Sequence, residues 1–290
     1  MAMHKVLKYI LTMVVLAGFA SCSIYDHYSG ISQTNVVPRV VNNDSIVLPD
    51  SLVNGYKLYF FMDERYAEMQ PEYQNGQYVI VFPSDTKVSF VAVALKDSTQ
   101  YTLNEPKVGE SIDNIWLTAR TASENEPPYP QGIYFGRIDV MEAEGDRHLQ
   151  YTLDIAPYDS QLHIYLSNAR NKFGLGEYEC VVQGLRNGVS YGGRNAGDYV
   201  IYSFTGSFKD NGDWVSEPLH VFPSNPGDVL RVMLYKDKYL VFETTVDQDG
   251  NPLAIPRGSD ICFYYNLPII GEITIQVLPW KQVENNFIVY

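Results

Sequence analysis

Strand-length alternation recurs along almost this entire chain, and after residue 22 no stretch keeps helical spacing over three turns. The segment HLQYTLDI is the clearest case. Leu149, Tyr151, Leu153 and Ile155 fall on one face, and Gln150, Thr152 and Asp154 on the other. QLHIYLS follows after Pro157-Tyr158-Asp159, with Leu162, Ile164 and Leu166 directed inward and His163 on the polar side. GYKLYFFM, QYVIVF, VSFVAVAL, DNIWLTA and GIYFGRIDV form an earlier series. They are rich in Val, Ile, Tyr and Phe and separated by Gly, Pro, Asn and Asp. DYVIYSFTGSF, VLRVMLY, KYLVFETTV, ICFYYNL and GEITIQVLPW form a later one. Asn75-Gly76 and Asn187-Gly188 read as hairpin turns. The pattern predicts an all-β chain of two tandem β-sandwiches, residues 46–145 and 146–290, meeting at the EAEGDR segment.

The amino end follows a different logic. Lys5 and Lys8 precede the apolar run YILTMVVLAGFA, and Ala20 and Ser21 lead to Cys22. Such a run is too short for a permanent membrane span and reads as a secretory signal, residues 1–21. A cysteine at this place predicts cleavage before Cys22 and acylation of its thiol. Several acyl chains hold a protein to a bilayer far better than one. The competing reading is an ordinary signal cut nearby, with Cys22 a spare thiol. Residues 22–45 are polar and weakly patterned, and read as a tether between lipid and fold.

The formal net charge of −13 disfavours nucleic acid as a partner, because an acidic surface repels phosphate backbones. Beyond Cys22 the cysteines are Cys180 and Cys262, both in strand-like contexts. They are expected as buried free thiols, with a disulfide as the alternative. The histidines are scattered singly and the cysteine spacing fits no zinc pattern, so neither a metal nor another cofactor is expected.

Catalytic patterns are present only in fragments. Gly188-Val189-Ser190-Tyr191-Gly192 fits G-x-S-x-G, yet no helix follows to expose the serine, and a glycine-rich loop is the better reading. Asp247, Asp249 and Gly250 begin like a calcium loop but lack the later bidentate acid. Asp63-Glu64 could serve glycoside hydrolysis only at a defined carboxyl separation, and reads as an exposed loop pair. No catalytic residue is expected. Tyr25, Tyr28, Tyr73, Tyr129 and Tyr191 lie in polar or Gly/Pro contexts and are expected at the surface, where tyrosine can bind sugars or proteins.

Signal, Cys22, tether and two β domains form a recognisable series. With the opening HLQYTLDIAPYDSQLHIYLSNA and the closing GEITIQVLPWKQVENNFIVY, the chain resembles the fimbrillin-associated anchor family of FimB-like and minor-fimbrium anchor lipoproteins. The resemblance implies two transthyretin-like β-sandwich domains and no enzymatic activity. It implies a surface-exposed outer-membrane location at the base of a fimbrium, held by lipid on Cys22. Its partners would be fimbrial subunits joined by strand exchange, and its role would be to anchor the pilus and limit its length. GEITIQVLPW with the tail KQVENNFIVY is the candidate donated segment, with an ordinary core strand as the alternative for residues 272–280 and Lys281 to Tyr290 the freer part. One alternative is a stalk or tip subunit, in which an arginine-directed protease cuts near Arg39 in NVVPRVV and opens a groove. Another is a surface glycan-binding lipoprotein using exposed aromatics.

Overall fold

The computed structural model describes residues 31–49, 55–68, 72–121, 127–141 and 147–287. Its architecture is all-β, as the alternation requires, and its strands build two sandwich cores and a third apolar layer between them. The first sheet runs in the order β3 (Arg65–Tyr66), β2 (Tyr56–Met62), β6 (Val88–Leu95), β9 (Ile133–Val140), β10 (Arg147–Pro157), β1 (Ile31–Val40), β5 (Gln77–Pro83), β4 (Glu72–Gln74). Strand β10 makes the corner. Most of its length pairs parallel with β1, while Ala156 and Pro157 pair antiparallel with β9. The sheet thereby folds onto itself around Val36, Val40, Ile80 and Phe82 on one side and Phe60, Phe90, Ala92 and Val140 on the other.

The near-continuous apolar run of β6 now has its reason. Phe90 and Ala92 face that first core, whereas Val91 and Val93 face a second apolar layer. A strand buried on both faces has no polar side to alternate with. Opposite Val91 and Val93 lie Trp116 and Leu117 of β8 (Ile115–Ala119), Tyr101 of β7 (Tyr101–Leu103), and Val189 of β12 (Tyr178–Ser190).

Strand β12 continues into the second sandwich. There it is flanked by β13 (Asn195–Phe204) on one side and β17 (Arg231–Lys236) on the other, with β18 (Tyr239–Thr244) beyond. The facing sheet holds β11 (Ser160–Ser167), β19 (Asp260–Asn266), β20 (Thr274–Pro279), β14 (Gly206–Phe208), β15 (Trp214–Ser216) and β16 (Leu219–Val221). Leu162, Ile164 and Leu166 point inward as expected, against Val182, Tyr202, Val232 and Tyr265. Each fully buried side chain of this kind contributes about 1.5–3 kcal/mol. A short helix, α1 (Ala169–Phe173), follows β11, and α2 (Trp280–Phe287) ends the described chain.

Several expectations are corrected. Residues 31–40 are a strand, not tether, because Ser32, Thr34, Val36 and Val40 alternate inward. The hydroxyls make this possible. Ser32 Oγ bonds Ser84 Oγ at 2.8 Å, and Thr34 Oγ1 donates to the Leu149 carbonyl at 3.0 Å. Pro38 comes after Val36, the last residue paired with β5, so its missing N–H withdraws no donor from that ladder. Residues 142–146, where the expected boundary falls, lie outside the described residues. On either side of them the strands cross over. Strand β10, expected to open the second sandwich, pairs with β1 and β9, while β8 of the first half pairs with β12 of the second.

Asn187-Gly188 is no turn. It lies inside β12 at a bulge, where a Cβ on Gly188 would come within 2.8 Å of the Leu117 carbonyl oxygen. Through Phe287, where the described residues end, the tail is not free either. Helix α2 packs Val283 against Tyr165, Val215 and Cys262, while β20 is an ordinary ladder partner of β19.

Candidate strand-exchange and anchoring site

The signal, Cys22, Tyr25, Tyr28 and the tether up to residue 30 lie outside the described residues. Arg39 lies within them, near the end of β1. It stands opposite Asp154 in the parallel register with β10. The side chains meet in a two-pronged ion pair, with Nε on Oδ1 and Nη2 3.1 Å from Oδ2. Both are partly exposed, so the pair orients more than it stabilises. The backbone around Arg39 is more constrained than its side chain. Strand β1 is paired on both sides, with β10 from Gln33 to Val40 and with β5 from Ile31 to Val36. If residues up to 39 were removed, the space between β5 and β10 would be an open slot with an apolar floor of Ile80, Phe82, Leu153 and Ile155.

The fragments of catalytic motifs resolve into structural parts. Ser190 ends β12 and is buried; its Oγ accepts the Arg194 N–H at 3.2 Å, and its own N–H donates to the Arg194 carbonyl. The glycine-rich stretch is therefore the tip of the β12–β13 hairpin. His220 on β16 reaches Asp159, at 2.8 Å, and not Ser190. Asp63 and Glu64 both take positive φ, 45° and 64°, and form the two-residue turn between β2 and β3. Asp247 Oδ1 accepts the N–H groups of Asp249 and Asn251 and so folds its own loop. Those bonds, Asn251 foremost, hold its carboxyl below the usual range. Among the described residues no three His, Cys, Asp or Glu side chains cluster as a metal site would require.

Cys180 and Cys262 are free and buried. Burial pushes the Cys180 thiol up to about 12, and its sulfur lies 3.2 Å from the Tyr265 hydroxyl. His163 corrects its expectation. It is only 5% exposed, because Trp280 of α2 stacks on its ring at 3.9 Å and Asp260 bonds its Nε2 at 2.9 Å. Of the aromatics expected at the surface, Tyr73 and Tyr129 are exposed, but Tyr191 is 1% exposed and its hydroxyl donates to the Asn104 carbonyl.

A feature that sequence reasoning missed is the contrast among sheet edges. Strand β13 pairs with β12 alone, and its other edge meets no strand among the described residues. Its alternation was legible in DYVIYSF, but its place at an edge was not.

The comparisons with known proteins agree with this architecture. No curated protein sequence matches the chain. Among solved structures, the fimbrial anchor protein Mfa2 from Porphyromonas gingivalis superposes with a TM-score of 0.51 at 10% identity, over 86% of this chain and 98% of that one. A protein from Bacteroides thetaiotaomicron described as a candidate polysaccharide-binding protein (DUF1812) gives 0.53 at 14% identity, over the same shares. At these identities the likeness establishes the fold alone. The family evidence is separate: the profile of the fimbrillin-A associated anchor proteins Mfa1 and Mfa2 matches residues 50–286. The chain therefore belongs to the fimbrillin-A associated anchor protein family, a family of fimbrial proteins and not of enzymes.

Proposed function

We propose that this protein is the membrane-side anchor of a fimbrium. Lipid on Cys22 holds it to the outer membrane, its β domains engage a fimbrial subunit by strand exchange, and its retention at the base limits fimbrial length. The family membership supports an anchoring role in the cell envelope and contact with fimbrial subunits. The observation that carries the anchor reading is the state of β1. A protease binds its substrate as an extended chain, and β1 around Arg39 is already committed to β10. Cleavage at Arg39 would first require peeling β1 from the sheet together with Val36 and Val40, both fully buried. An uncut, lipid-bearing amino end is what an anchor needs.

The second reading is a shaft or tip subunit, and the same strand gives it a specific geometry. A cut after Arg39 would leave the chain starting at Val40 and open the slot between β5 and β10. One measurement separates the two: the mass of the amino-terminal peptide from membrane-extracted protein. Acylated Cys22 with Arg39 intact is the anchor result. A mature form beginning at Val40 refutes it. Cys22→Ala should move the protein from detergent to aqueous phase, and unchanged partitioning would remove the lipid from the account.

A further inference from the structure

Proteins guard the edges of their sheets, because an exposed row of N–H and C=O groups is a template for another chain. Most edges here are guarded by brevity. Strands β3, β4, β7 and β14 are two or three residues long. Strand β20 has six residues, and its outer side is engaged by the loop that follows β18, with the Gln248 N–H on the Ile275 carbonyl at 2.9 Å. Strand β18 has six and is the short return of a tight hairpin. Strand β13 stands apart with ten residues, no proline and a single charged side chain, Asp198.

Its side chains suit an added strand. Val200, Tyr202 and Phe204 point into the core, while Tyr199 and Ile201 stand out at 66% and 53% exposure. A groove of about 480 Å³ lies on their other side, over Gly184 of β12 between Tyr199, Ile201, Val229 and Arg231, and leaves the free edge of β13 uncovered. The edge is balanced in charge where the whole chain is acidic: Arg186 and Arg194 stand with Asp198 and Asp228, and Arg231 pairs with Glu243 at 3.0 Å. Arg186 lies over the Tyr199 ring at 4.2 Å, and Arg194, at the foot of β13, makes no ion pair among the described residues. With a net charge of −13, two copies of this chain repel one another, which argues against self-pairing through this edge.

We propose that β13 is an acceptor edge for an extended segment of a fimbrial shaft subunit, one whose side chains alternate between apolar and polar. Backbone hydrogen bonds along β13 supply affinity, and the exposed Tyr199 and Ile201 select the apolar side chains. This edge is distinct from the slot that loss of β1 would open, and the proposal rests on the anchor reading above.

The test uses the full mature chain and the purified, monomeric shaft subunit of the same cells' fimbriae. Hydrogen exchange on the complex should show new protection in residues 198–204. Tyr199→Glu with Ile201→Glu, both at exposed positions, should weaken binding by about tenfold or more, on the scale of losing one well-made contact region. Binding that persists in the double variant, with no new protection in β13, overturns the acceptor edge and leaves the anchor reading standing. No binding by the unaltered chain removes both. Protection of β13 that rises with protein concentration in the absence of the subunit identifies a second copy as the occupant and also overturns the proposal.

Discussion

Strands β1 and β13 are both ten residues long, and they lie at opposite extremes of commitment. Strand β1 is held on two sides and turns Val36 and Val40 into a core. Strand β13 is held on one side and turns Tyr199 and Ile201 to solvent. Length and alternation do not separate them. The number of neighbours does, and with it the consequence of any change: a substitution in β1 acts on folding, and one on the outer face of β13 leaves folding nearly untouched.

The largest expected effect tests that contrast with one chemistry at two places. Val36→Asp puts an unpaired carboxylate into a fully buried site and should cost about 3–5 kcal/mol. Ile201→Asp should cost about 0.5 kcal/mol or less, the ordinary range for exposed positions. Urea melts of the two variants check this, and equal losses would break the comparison.

A smaller effect concerns Gly184, where β12 bulges between its pairings with β13. Its φ is +103°, and a Cβ there would come within 2.4 Å of the Val229 carbonyl oxygen. Gly184→Ala should therefore cost about 1–3 kcal/mol and should weaken the support beneath β13. Thermal melts with exchange of the β13 amides would show it. If Gly184→Ala leaves both unchanged, β13 does not depend on the bulge.

The acid side of the stability profile should carry a further, milder signal. Burial pushes the His163 imidazole below its ordinary value of 6.5, while Asp260 and Glu284 pull the other way. The folded chain thus holds fewer protons than the unfolded chain just below that value. The contribution is fully present above pH 6.5 and is lost as pH falls through the folded-state value. His163→Gln should flatten the dependence of Tm on pH between about 7.5 and about 5. A slope identical to that of the unaltered chain would place the acid sensitivity elsewhere. Smallest of all, Arg39→Ala loses a partly exposed ion pair and should cost about 1 kcal/mol or less, so β1 should stay in place without it.

The sequence shows which residues of a strand share a face, and much less about what lies beside that face. HLQYTLDI and QLHIYLS, the turn at Asn75-Gly76 and the loop character of Asp63-Glu64 were readable because local geometry decides them. Strand β1 was hidden for two reasons. Its inward positions begin with Ser32 and Thr34, whose hydroxyls find partners only in the folded chain. Its ladder partner lies far along the sequence, Asp154 opposite Arg39. His163 was misplaced for a related reason: its outer face is polar by alternation, and only the return of α2 brings Trp280 over it. Cys22 lies outside the described residues, and its proposed role rests on the order of basic, apolar and small residues before it, a signal independent of the fold.

The parallel pairing of β1 with β10 also has a mechanical meaning. Strand β1 enters from the amino end of the chain, and β10 leaves at its carboxyl end into the second sandwich. For a chain tethered at its amino end and pulled from beyond β10, the two strands slide along each other lengthwise. Such shear loads the whole ladder from Gln33–Arg147 to Val40–Ile155 at once, whereas pulling strands apart sideways would open it one rung at a time. The molecule would then resist a tug along the axis of a filament with many hydrogen bonds in concert, at the strand nearest the point of attachment.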